Sequence, residues 1–498
     1  MLFNSYIFIF AFLPIALAGF FLLGRTGRRG PALAWLFGAS LFFYGWWNPA
    51  DLPFLLLSIA LNYLVARTLR RLPPGGRRHL LLICGVAGNL VFLGYCKYAG
   101  FLVSNANAIL GASWPIPHRT LPLAISFFTF QQIVFLVDAA SARRARTGLL
   151  RYATGVAFFP HLLAGPIVQY SQLMPQFARR RILRPDAMLV ASGLTVFTIG
   201  LFKKVILADG VSQFVPLPFA ASLAGNPLTL VEAWAAALSY TLQIYFDFSG
   251  YSDMAIGLAL IMGITLPVNF NSPYKAASII EFWRRWHITL SAFLRDYVYI
   301  PLGGGRRGPA RRYLNLMITM LLGGLWHGAS WTFVVWGGLH GAYLLVNHAW
   351  RAIRGHSRGA QDAAGSSYAA RLLTFAAVVV AWVFFRADSL DVAWSLARAM
   401  AGANGVALPR SWLEPLAARW GGAIPAWLGV GGMGTLAGWP ELAWIAAGLA
   451  VVWGLPNTQE IMARRWEPSP AWAVAVAALA VFSIFGLTRA SPFIYFNF

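Results

Sequence analysis

The stretch GGLWHGASW, Gly323 to Trp331, places a histidine between two apolar segments that have the character of helices. A histidine in this setting has two interpretations. It is either a packed side chain whose ring nitrogens have hydrogen-bond partners, or a working base at membrane depth, where ionisable groups are costly and mark functional interiors. Composition, charge and motifs elsewhere in the chain bear on that choice.

Composition places the chain among membrane proteins. Of its 498 residues, 58% are hydrophobic and 11% are charged, whereas soluble proteins carry about 25% charged residues. Apolar segments repeatedly approach the length of about 20 residues that a membrane-spanning helix needs. The first of them, 6–23, has no preceding Lys or Arg and continues past the cleavage-like ALA at 16–18. We therefore expect an uncleaved helix and not a signal peptide.

The apolar segments predict an all-α polytopic membrane protein. Because several are too short to cross the bilayer alone, we expect about 11 to 13 transmembrane helices plus re-entrant or interfacial helices around a central funnel or tunnel. We predict one membrane domain over 1–498, with a catalytic core at about 120–350 and an external tail at 488–498. The further apolar segments lie at 31–47, 52–66, 80–95, 121–138, 187–208, 229–245, 313–322, 330–349, 371–385, 440–455 and 471–487.

The net charge of +23 comes mostly from arginines gathered in short runs. These runs alternate with nearly uncharged turns, so the positive-inside rule puts the N-terminus outside and the basic loops in the cytoplasm of an inner-membrane protein. Topology and anionic lipid explain the runs on one interpretation. On the other, part of this surface also receives a phosphorylated donor or an acidic carrier. A nucleic-acid partner is not expected, since there is no soluble basic domain. The runs lie at 25–30, 67–78, 143–146 and 179–184.

Neither cysteine nor histidine spacing indicates a metal. Cys84 and Cys96 would be about 18 Å apart on one helix, beyond the reach of a disulfide. None of the eight histidines forms an i, i+4 pair, although His340 and His348 are eight residues apart. We expect no metal cofactor.

A dense block of polar and aromatic residues extends from Tyr245 to Arg312. Within it, the segment Glu281 to Tyr299 interleaves aromatic and charged residues, which suits a helix that lies in the interface or re-enters the membrane. The following PLGGGRRGPARR combines flexible backbone with four arginines. It is either a phosphate-binding loop or a basic interfacial loop. The four arginines are Arg306, Arg307, Arg311 and Arg312.

Several motifs resemble the bacterial branch of the membrane-bound O-acyltransferase (MBOAT) superfamily, and within it the membrane subunit of alginate O-acetyltransferases. The motifs are FFPHLLAGPIVQY, FDFSGYSDMAIG, NFNSPY, EFWRRWHITLSAFLRDYVYIPLGG and GGLWHGASWTFVVWGGLHG, with SFFTFQQIVFLVDA earlier and WVFFRA, PNTQEIM and FIYFNF later. The resemblance implies that His327 is catalytic and that His287, at the family's second polar position, assists. We treat His340 as structural.

The chemistry of acyl transfer suits these residues. Transfer from a thioester to a hydroxyl needs a base whose pKa is near 7, and imidazole starts closest to that value. It also needs water excluded, for which Trp326 is suitably placed beside His327. His287 would orient the acceptor or polarise the thioester carbonyl, and Asp253 or Asn269 would fix ring tautomers.

We therefore expect an O-acetyltransferase that takes acetyl from cytoplasmic acetyl-CoA and delivers it across the membrane to an exopolysaccharide. Alginate is the first candidate for this polymer. Its partners would be a periplasmic SGNH-hydrolase-like acetyltransferase and a polysaccharide synthesis complex. Cellulose, peptidoglycan and teichoic acids, the last with a carrier-protein donor, remain alternative systems. Other classes of protein are a proton-coupled transporter or flippase, which shares buried His and Asp residues, and a structural subunit without chemistry.

The end of the chain, SPFIYFNF, is rich in aromatic residues. It is an interfacial anchor on one interpretation. On the other, it resembles the C-terminal motif of the small partner peptide of the D-alanylation system, so that Tyr495 would accept the acetyl group near His327 and pass it to a periplasmic transferase. A phenol activated by a base is a known covalent nucleophile.

Overall fold

A computed structural model describes residues 1–117, 121–141, 147–353, 368–408, 428–430, 435–436, 438–489 and 493–494. The regular secondary structure of this part of the chain is helical, apart from one parallel pair of three-residue strands, Val406–Leu408 and Leu428–Val430. The expected all-α class is confirmed. Tyr495 lies outside the described residues.

Helices α1 to α12 occupy the first half of the chain. Their bounds are Leu13–Gly24, Arg29–Gly45, Leu52–Arg71, Gly76–Leu93, Ala99–Leu110, Ile125–Ala140, Leu149–Ala157, Phe159–Leu162, Tyr170–Phe177, Ala187–Phe202, Asp209–Ser212 and Pro216–Leu223. Short π-helical turns at Phe8–Phe12, Gly94–Tyr98 and Lys203–Ala208, and 3₁₀ turns at Pro49–Asp51 and Arg180–Leu183, extend or join them.

Helices α13 to α22 occupy the second half. Their bounds are Leu230–Ile261, Ile279–Arg285, Ile288–Leu294, Pro309–His327, Trp331–Ile353, Tyr368–Arg386, Leu390–Met400, Trp439–Gly454, Thr458–Arg464 and Pro470–Gly486. A π turn at Arg295–Tyr299 and 3₁₀ turns at Pro273–Lys275 and Leu487–Arg489 complete the described helical structure.

Seven apolar helical stretches carry the membrane character of the described chain. Four are long and apolar enough to cross a bilayer, and three others are apolar but shorter. These stretches agree with a polytopic membrane protein, while the number of 11 to 13 spans stays a prediction. The four are Pro49–Arg71, Gly76–Leu110, Ala187–Leu223 and Tyr368–Arg386, and the three are Phe8–Gly24, Ile125–Ala140 and Pro470–Gly486.

The chain forms two compact units that alternate along the sequence. Unit 1 comprises Met1–Phe202, Ser249–Asn269 and Thr458–Phe498, and unit 2 comprises Lys203–Phe248 and Phe270–Asn457. Both units draw on the range 120–350. The expectation of a single domain with its catalytic core in that range stays a prediction.

Glycines explain how two helices of unit 1 meet. A methyl group on Gly193 of α10 would lie 2.6 Å from the carbonyl oxygen of Gly257 of α13, and one on Gly200 would lie 2.6 Å from that of Gly250. The two glycines on each helix are seven residues apart, so they share a face. Small residues at this spacing let apolar helices pack backbone to backbone. This is the structural reason for two glycines of the FSGYSDMAIG motif.

The core of unit 2 is aromatic. Tyr274, Trp286 and Trp382 are each at most 2% exposed. The ring centroids of Trp286 and Trp382 lie 4.8 Å apart, and those of Tyr274 and Trp286 lie 5.9 Å apart. Large buried rings supply much of the packing energy of such a core. They also form the walls around the histidines of this unit.

Candidate active site

Tight packing between α16 and α17 positions His327, the last residue of α16. A methyl group on Gly324 would lie 2.2 Å from the carbonyl oxygen of Phe333, and one on Gly337 would lie 2.4 Å from that of Met320. After His327 the backbone turns extended at Gly328, with φ −164° and ψ 153°. The GGLWHGASW stretch therefore forms the closed end of a helical hairpin in which the backbones of α16 and α17 are in contact.

Three aromatic rings surround the His327 imidazole, which is 3% exposed. Their centroids lie 4.8 Å (Trp326), 5.1 Å (Trp336) and 5.0 Å (Phe385) from that of His327. All three rings are steeply inclined to the imidazole, at 73°, 88° and 72°. This apolar shell limits the access of water to the imidazole.

His287 lies at a break in the polar block, between α14 and α15. Its backbone is left-handed, with φ 40° and ψ 55°, a conformation that costs a non-glycine residue about 1–2 kcal/mol. The prediction of a single amphipathic helix over Glu281 to Tyr299 is therefore wrong. The extended backbone of Trp286 and the left-handed backbone of His287 interrupt it, and the segment forms two short helices and a π turn. Strain of this kind collects at functional sites.

Trp326 brings the two predicted histidines into one site. The His287 ring is fully buried, and its centroid lies 4.8 Å from that of Phe248 and 6.2 Å from that of Trp326. The Trp326 indole also contacts His327, as given above. Three residues selected from the sequence, His287, Trp326 and His327, are thus neighbours within unit 2.

A hydrogen-bond network holds the segment that leads to His287. The Arg285 guanidinium lies 2.7 Å from a carboxylate oxygen of Glu281 and donates to the Asn271 carbonyl oxygen at 3.3 Å. The Asn457 amide donates to Asn271 Oδ1 at 2.8 Å and to the Ser272 hydroxyl at 2.9 Å. The NFNSPY and PNTQEIM motifs therefore act as supports for the break at His287.

Asp253 and Asn269 have partners in unit 1. The Thr458 hydroxyl and the Gln459 amide donate to the Asp253 carboxylate at 2.6 and 3.1 Å. The Asn269 amide donates to the Ser252 hydroxyl at 3.3 Å. These bonds give both side chains a structural role, and their expected influence on ring tautomers stays a prediction.

The glycine-rich arginine loop is ordered by one asparagine. Asn315, fully buried on α16, donates to the carbonyl oxygens of Leu302 and Gly304 at 3.2 and 2.9 Å. Gly303, Gly304 and Gly308 have positive φ angles of 109°, 56° and 88°. Arg306, Arg307 and Arg311 are exposed, whereas Arg312 is partly buried and lies over the Tyr313 ring.

Lys204 was missed from the sequence. This lysine is 2% exposed, and its ammonium lies 2.7 Å from a carboxylate oxygen of Asp209 and 2.7 Å from one of Asp247. Of these three residues, only Asp247 lies within the polar block from Tyr245 to Arg312. The available signal was the lysine pair at 203–204 inside an apolar segment, because lysine at membrane depth is rare unless it is paired.

Two other buried histidines differ in their hydrogen bonding. His161 has partners at both ring nitrogens, the Gln131 amide at 2.9 Å and the Gly155 carbonyl oxygen at 3.0 Å, and is a structural histidine. His340 is equally buried, yet within the described residues neither of its ring nitrogens has a hydrogen-bond partner. His340 therefore lacks the hydrogen bonds that a structural histidine such as His161 makes.

The end of the chain is described only in part. The Phe493 ring, 1% exposed, stacks on Tyr251 with centroids 4.6 Å apart, which anchors the start of the tail in unit 1. The position of Tyr495 is outside the described residues. Within those residues, no group of three or more His, Cys, Asp or Glu side chains has a metal-binding arrangement.

Comparisons with known proteins identify the family of the chain. The family model of MBOAT, membrane-bound O-acyltransferase family, matches residues 107–385. The chain is 43% identical to a peptidoglycan O-acetyltransferase of Helicobacter pylori over 82% of its length and 81% of the relative's. It is 42% identical to a probable alginate O-acetylase AlgI of Pseudomonas aeruginosa over 80% and 75%. A teichoic acid D-alanyltransferase of Bacillus subtilis is 27% identical over 46% and 59%. The chain therefore belongs to the membrane-bound O-acyltransferase family, and it is a membrane O-acyltransferase.

Proposed function

We propose that the protein transfers acetyl from cytoplasmic acetyl-CoA to a hydroxyl on the outer side of the inner membrane, with His327 as the general base. The observation that carries this proposal is the aromatic shell around His327 at the closed end of the α16–α17 hairpin. A buried imidazole between indole rings is suited to take a hydroxyl proton while water is kept away.

The reaction proceeds in two steps at one imidazole. The acceptor oxygen attacks the thioester carbonyl carbon while its proton passes to His327. The tetrahedral intermediate then expels the CoA sulfur, which takes the proton from the imidazolium, so that an acetyl ester and the CoA thiol leave. His287, 6.2 Å from the Trp326 ring centroid, orients the acceptor or polarises the carbonyl.

The basic loop at the start of α16 is our proposed phosphate-binding element. Arg306 and Arg311 are exposed and stand beside the N-terminus of a 19-residue helix, which itself favours anions. Reversing both charges should raise the KM for acetyl-CoA, more strongly at low salt than at high salt because salt screens exposed charges. Reversal of both charges at Arg25 and Arg28, in another exposed basic loop, is the matched control. An unchanged KM would indicate that the arginine loop sets membrane topology and does not bind the donor phosphates.

The acceptor that we propose is an exopolysaccharide, reached through a periplasmic acetyltransferase of the SGNH-hydrolase type. Alginate is the first candidate for this polymer. Relatives named for alginate and for peptidoglycan match this chain at 42% and 43% identity, so both polymers belong in the test. The family assignment favours this class of activity over a transporter.

The test uses membranes from cells that express the chain with its genomic neighbours, supplied with acetyl-CoA labelled in the acetyl group. Base-labile label on added alginate is the expected result. Label on peptidoglycan strands instead would overturn the acceptor while leaving the acyltransferase intact. No protein-dependent label on either polymer, at normal protein abundance, would contradict acetyl-CoA as donor for these acceptors.

We further propose that Tyr495 relays the acetyl group. The base at His327 would take the proton of the phenol while its oxygen attacks the thioester and the CoA thiol leaves. The resulting phenyl ester is more reactive than a sugar ester, and its acetyl group would then pass to a nucleophile of the periplasmic partner, which regenerates the phenol. Tyr495→Phe keeps the ring and removes the oxygen, so polymer acetylation in cells should be lost. Wild-type acetylation in that variant would leave the tail as an aromatic anchor.

A further inference from the structure

Three arginines of unit 1 carry buried nitrogen atoms without partners in the described part of the chain. Arg78 is 9% exposed, and its Nη2 donates to the Ala139 carbonyl oxygen at 3.5 Å. Nε of Arg78, Nη2 of Arg70 and Nε of Arg151 are buried and have no hydrogen-bond partner. Within the described residues, no salt bridge joins any of the three to a carboxylate. Buried charges in proteins are normally paired and hydrogen-bonded, so a counter-charge is expected here.

Helix α6 brings two of these arginines together. The guanidinium carbon of Arg70 lies 5.6 Å from the centroid of the Phe135 ring. Phe135 and Ala139 are four residues apart on α6, so they share one face of that helix. Arg70, over Phe135, and Arg78, at the Ala139 carbonyl, therefore contact neighbouring turns of the same face.

Tyr170 joins Arg151 to this pair. Arg70 and Arg151 both act electrostatically on the Tyr170 phenol, whose ring centroid lies 4.6 Å from that of Phe135. Arg78 and Arg151 are each the third residue of a helix, α4 and α7. The first turn of a helix disfavours a cation and favours an anion. A bound anion would offset the unfavourable placement of both arginines.

The chemistry of the arginine cluster, defined as Arg70, Arg78 and Arg151, indicates which anion fits. Guanidinium groups donate forked pairs of N–H bonds that match the oxygens of a phosphate. One phosphate offers several acceptor oxygens and can therefore bond to more than one guanidinium. The adjoining loop 142–146, which lies outside the described residues, reads ARRAR and has no acidic side chain that could take this place.

The location of the cluster favours a phosphate that belongs to a lipid. Arg70 lies in the last turn of α3, and Arg78 lies in the first turn of α4. Both helices belong to stretches that are long and apolar enough to cross a bilayer, so their ends lie near the depth of the lipid headgroups. On the same two helices, Leu64 and Leu80 are 54% and 61% exposed. They offer apolar surface to the acyl chains of the same lipid.

We propose that the arginine cluster binds the phosphate of one anionic phospholipid, such as phosphatidylglycerol, on the side that the positive-inside rule assigns to the cytoplasm. The bound headgroup would connect the end of α3 with the starts of α4 and α7 and so stabilise unit 1. The inference does not depend on the proposed acyl transfer, for which the donor phosphates have a separate proposed site at Arg306 and Arg311.

The test measures the binding of short-chain phosphatidylglycerol and phosphatidylcholine to the delipidated full chain in detergent, by native mass spectrometry. The wild type should bind one phosphatidylglycerol about tenfold more tightly than phosphatidylcholine, whose choline cation the arginines repel. Arg78→Gln removes the charge and keeps a donor for the Ala139 carbonyl. Its affinity for phosphatidylglycerol should fall about tenfold or more, the value of a lost charged hydrogen bond. Arg78→Lys, which keeps the charge without the forked geometry, should recover part of that affinity.

Arg77→Gln is the matched control, because Arg77 is exposed and adjoins Arg78 in the sequence. This substitution removes the same charge from the same loop but no buried nitrogen. At high salt, its affinity for phosphatidylglycerol should equal that of the wild type, since salt screens exposed charges more than buried ones.

Three results would overturn the inference. Equal losses in Arg77→Gln and Arg78→Gln at high salt would show that the basic surface attracts lipid diffusely. Equal affinity of the wild type for the two lipids would show that no anionic lipid is selected. Displacement of phosphatidylglycerol by coenzyme A would assign the cluster to a soluble phosphate. Should Arg78→Gln not accumulate, Arg151→Gln, at a partly buried arginine, must lower the affinity in the same way.

Discussion

Gly337→Ala is the substitution whose effect follows most directly from the coordinates. The new methyl group would lie 2.4 Å from the Met320 carbonyl oxygen and 3.2 Å from Gly324 Cα. A close C–H···O contact has a carbon-to-oxygen distance of about 3.3–3.6 Å. The two helices of the hairpin must therefore separate locally by about 1 Å, since backbone cannot rotate away as a side chain can.

That separation acts on the proposed active site. His327 ends the displaced helix, and Trp336, which contacts it, immediately precedes the substituted residue. A misplacement of 1 Å can cost about 10²-fold in rate, and overpacking a helix contact costs about 1–3 kcal/mol. We expect Gly337→Ala to lower acetyl transfer about a hundredfold and to lower the melting temperature in detergent.

The neighbouring glycine gives a matched control. A methyl group on Gly338 would lie 3.6 Å from the Leu321 side chain, an ordinary contact, and alanine is favoured over glycine inside a helix by about 1 kcal/mol. Gly338→Ala should keep full activity. Acetyl transfer per unit of membrane protein is the measurement, and equal activity of the two variants would refute the packing argument.

Two further predictions concern single side chains. His287→Gly relieves the left-handed strain, about 1–2 kcal/mol, but it also removes a fully buried ring, and the cavity costs about 2–5 kcal/mol. The variant should therefore melt lower than the wild type and lose activity; a variant that stays active would show that the His287 imidazole is dispensable. Lys204→Met leaves the buried Asp209 and Asp247 carboxylates without their ammonium, and removing one partner of a buried ion pair costs about 3–5 kcal/mol. Arg295→Met, at a surface pair with Asp296, should cost less than about 1 kcal/mol, and similar unfolding of these two variants would contradict the role of the buried lysine.

The helices were largely predictable because apolar length decides them. The segment expected at 371–385 is Tyr368–Arg386, and that at 471–487 is Pro470–Gly486. The length of the segment predicted at 229–245 was underestimated. It continues to Ile261 through polar residues, because Asp253 is satisfied by Thr458 and Gln459 and the glycines at 250 and 257 pack on α10. Those partners are distant in sequence, so hydropathy could not reveal them.

The site was predictable in its residues and not in its geometry. The motif resemblance selected His327 and His287, whose rings contact Trp326. The break at His287 depends on the support of Arg285 and Asn457, which are 172 residues apart by their numbers, and periodicity cannot show it. The missing bonds of His340 are likewise a property of three-dimensional packing.

The central claim, that His327 is the base for acyl transfer, is tested most directly by comparing His327→Ala with His79→Ala, a substitution of an exposed histidine. Both variants are assayed for acetyl transfer at equal abundance in the membrane. Losing a general base lowers the rate about 10²–10⁴-fold. Acetyl transfer by His327→Ala should therefore fall at least about 10²-fold, while His79→Ala keeps wild-type transfer. Transfer by His327→Ala within about tenfold of the wild type would contradict the assignment.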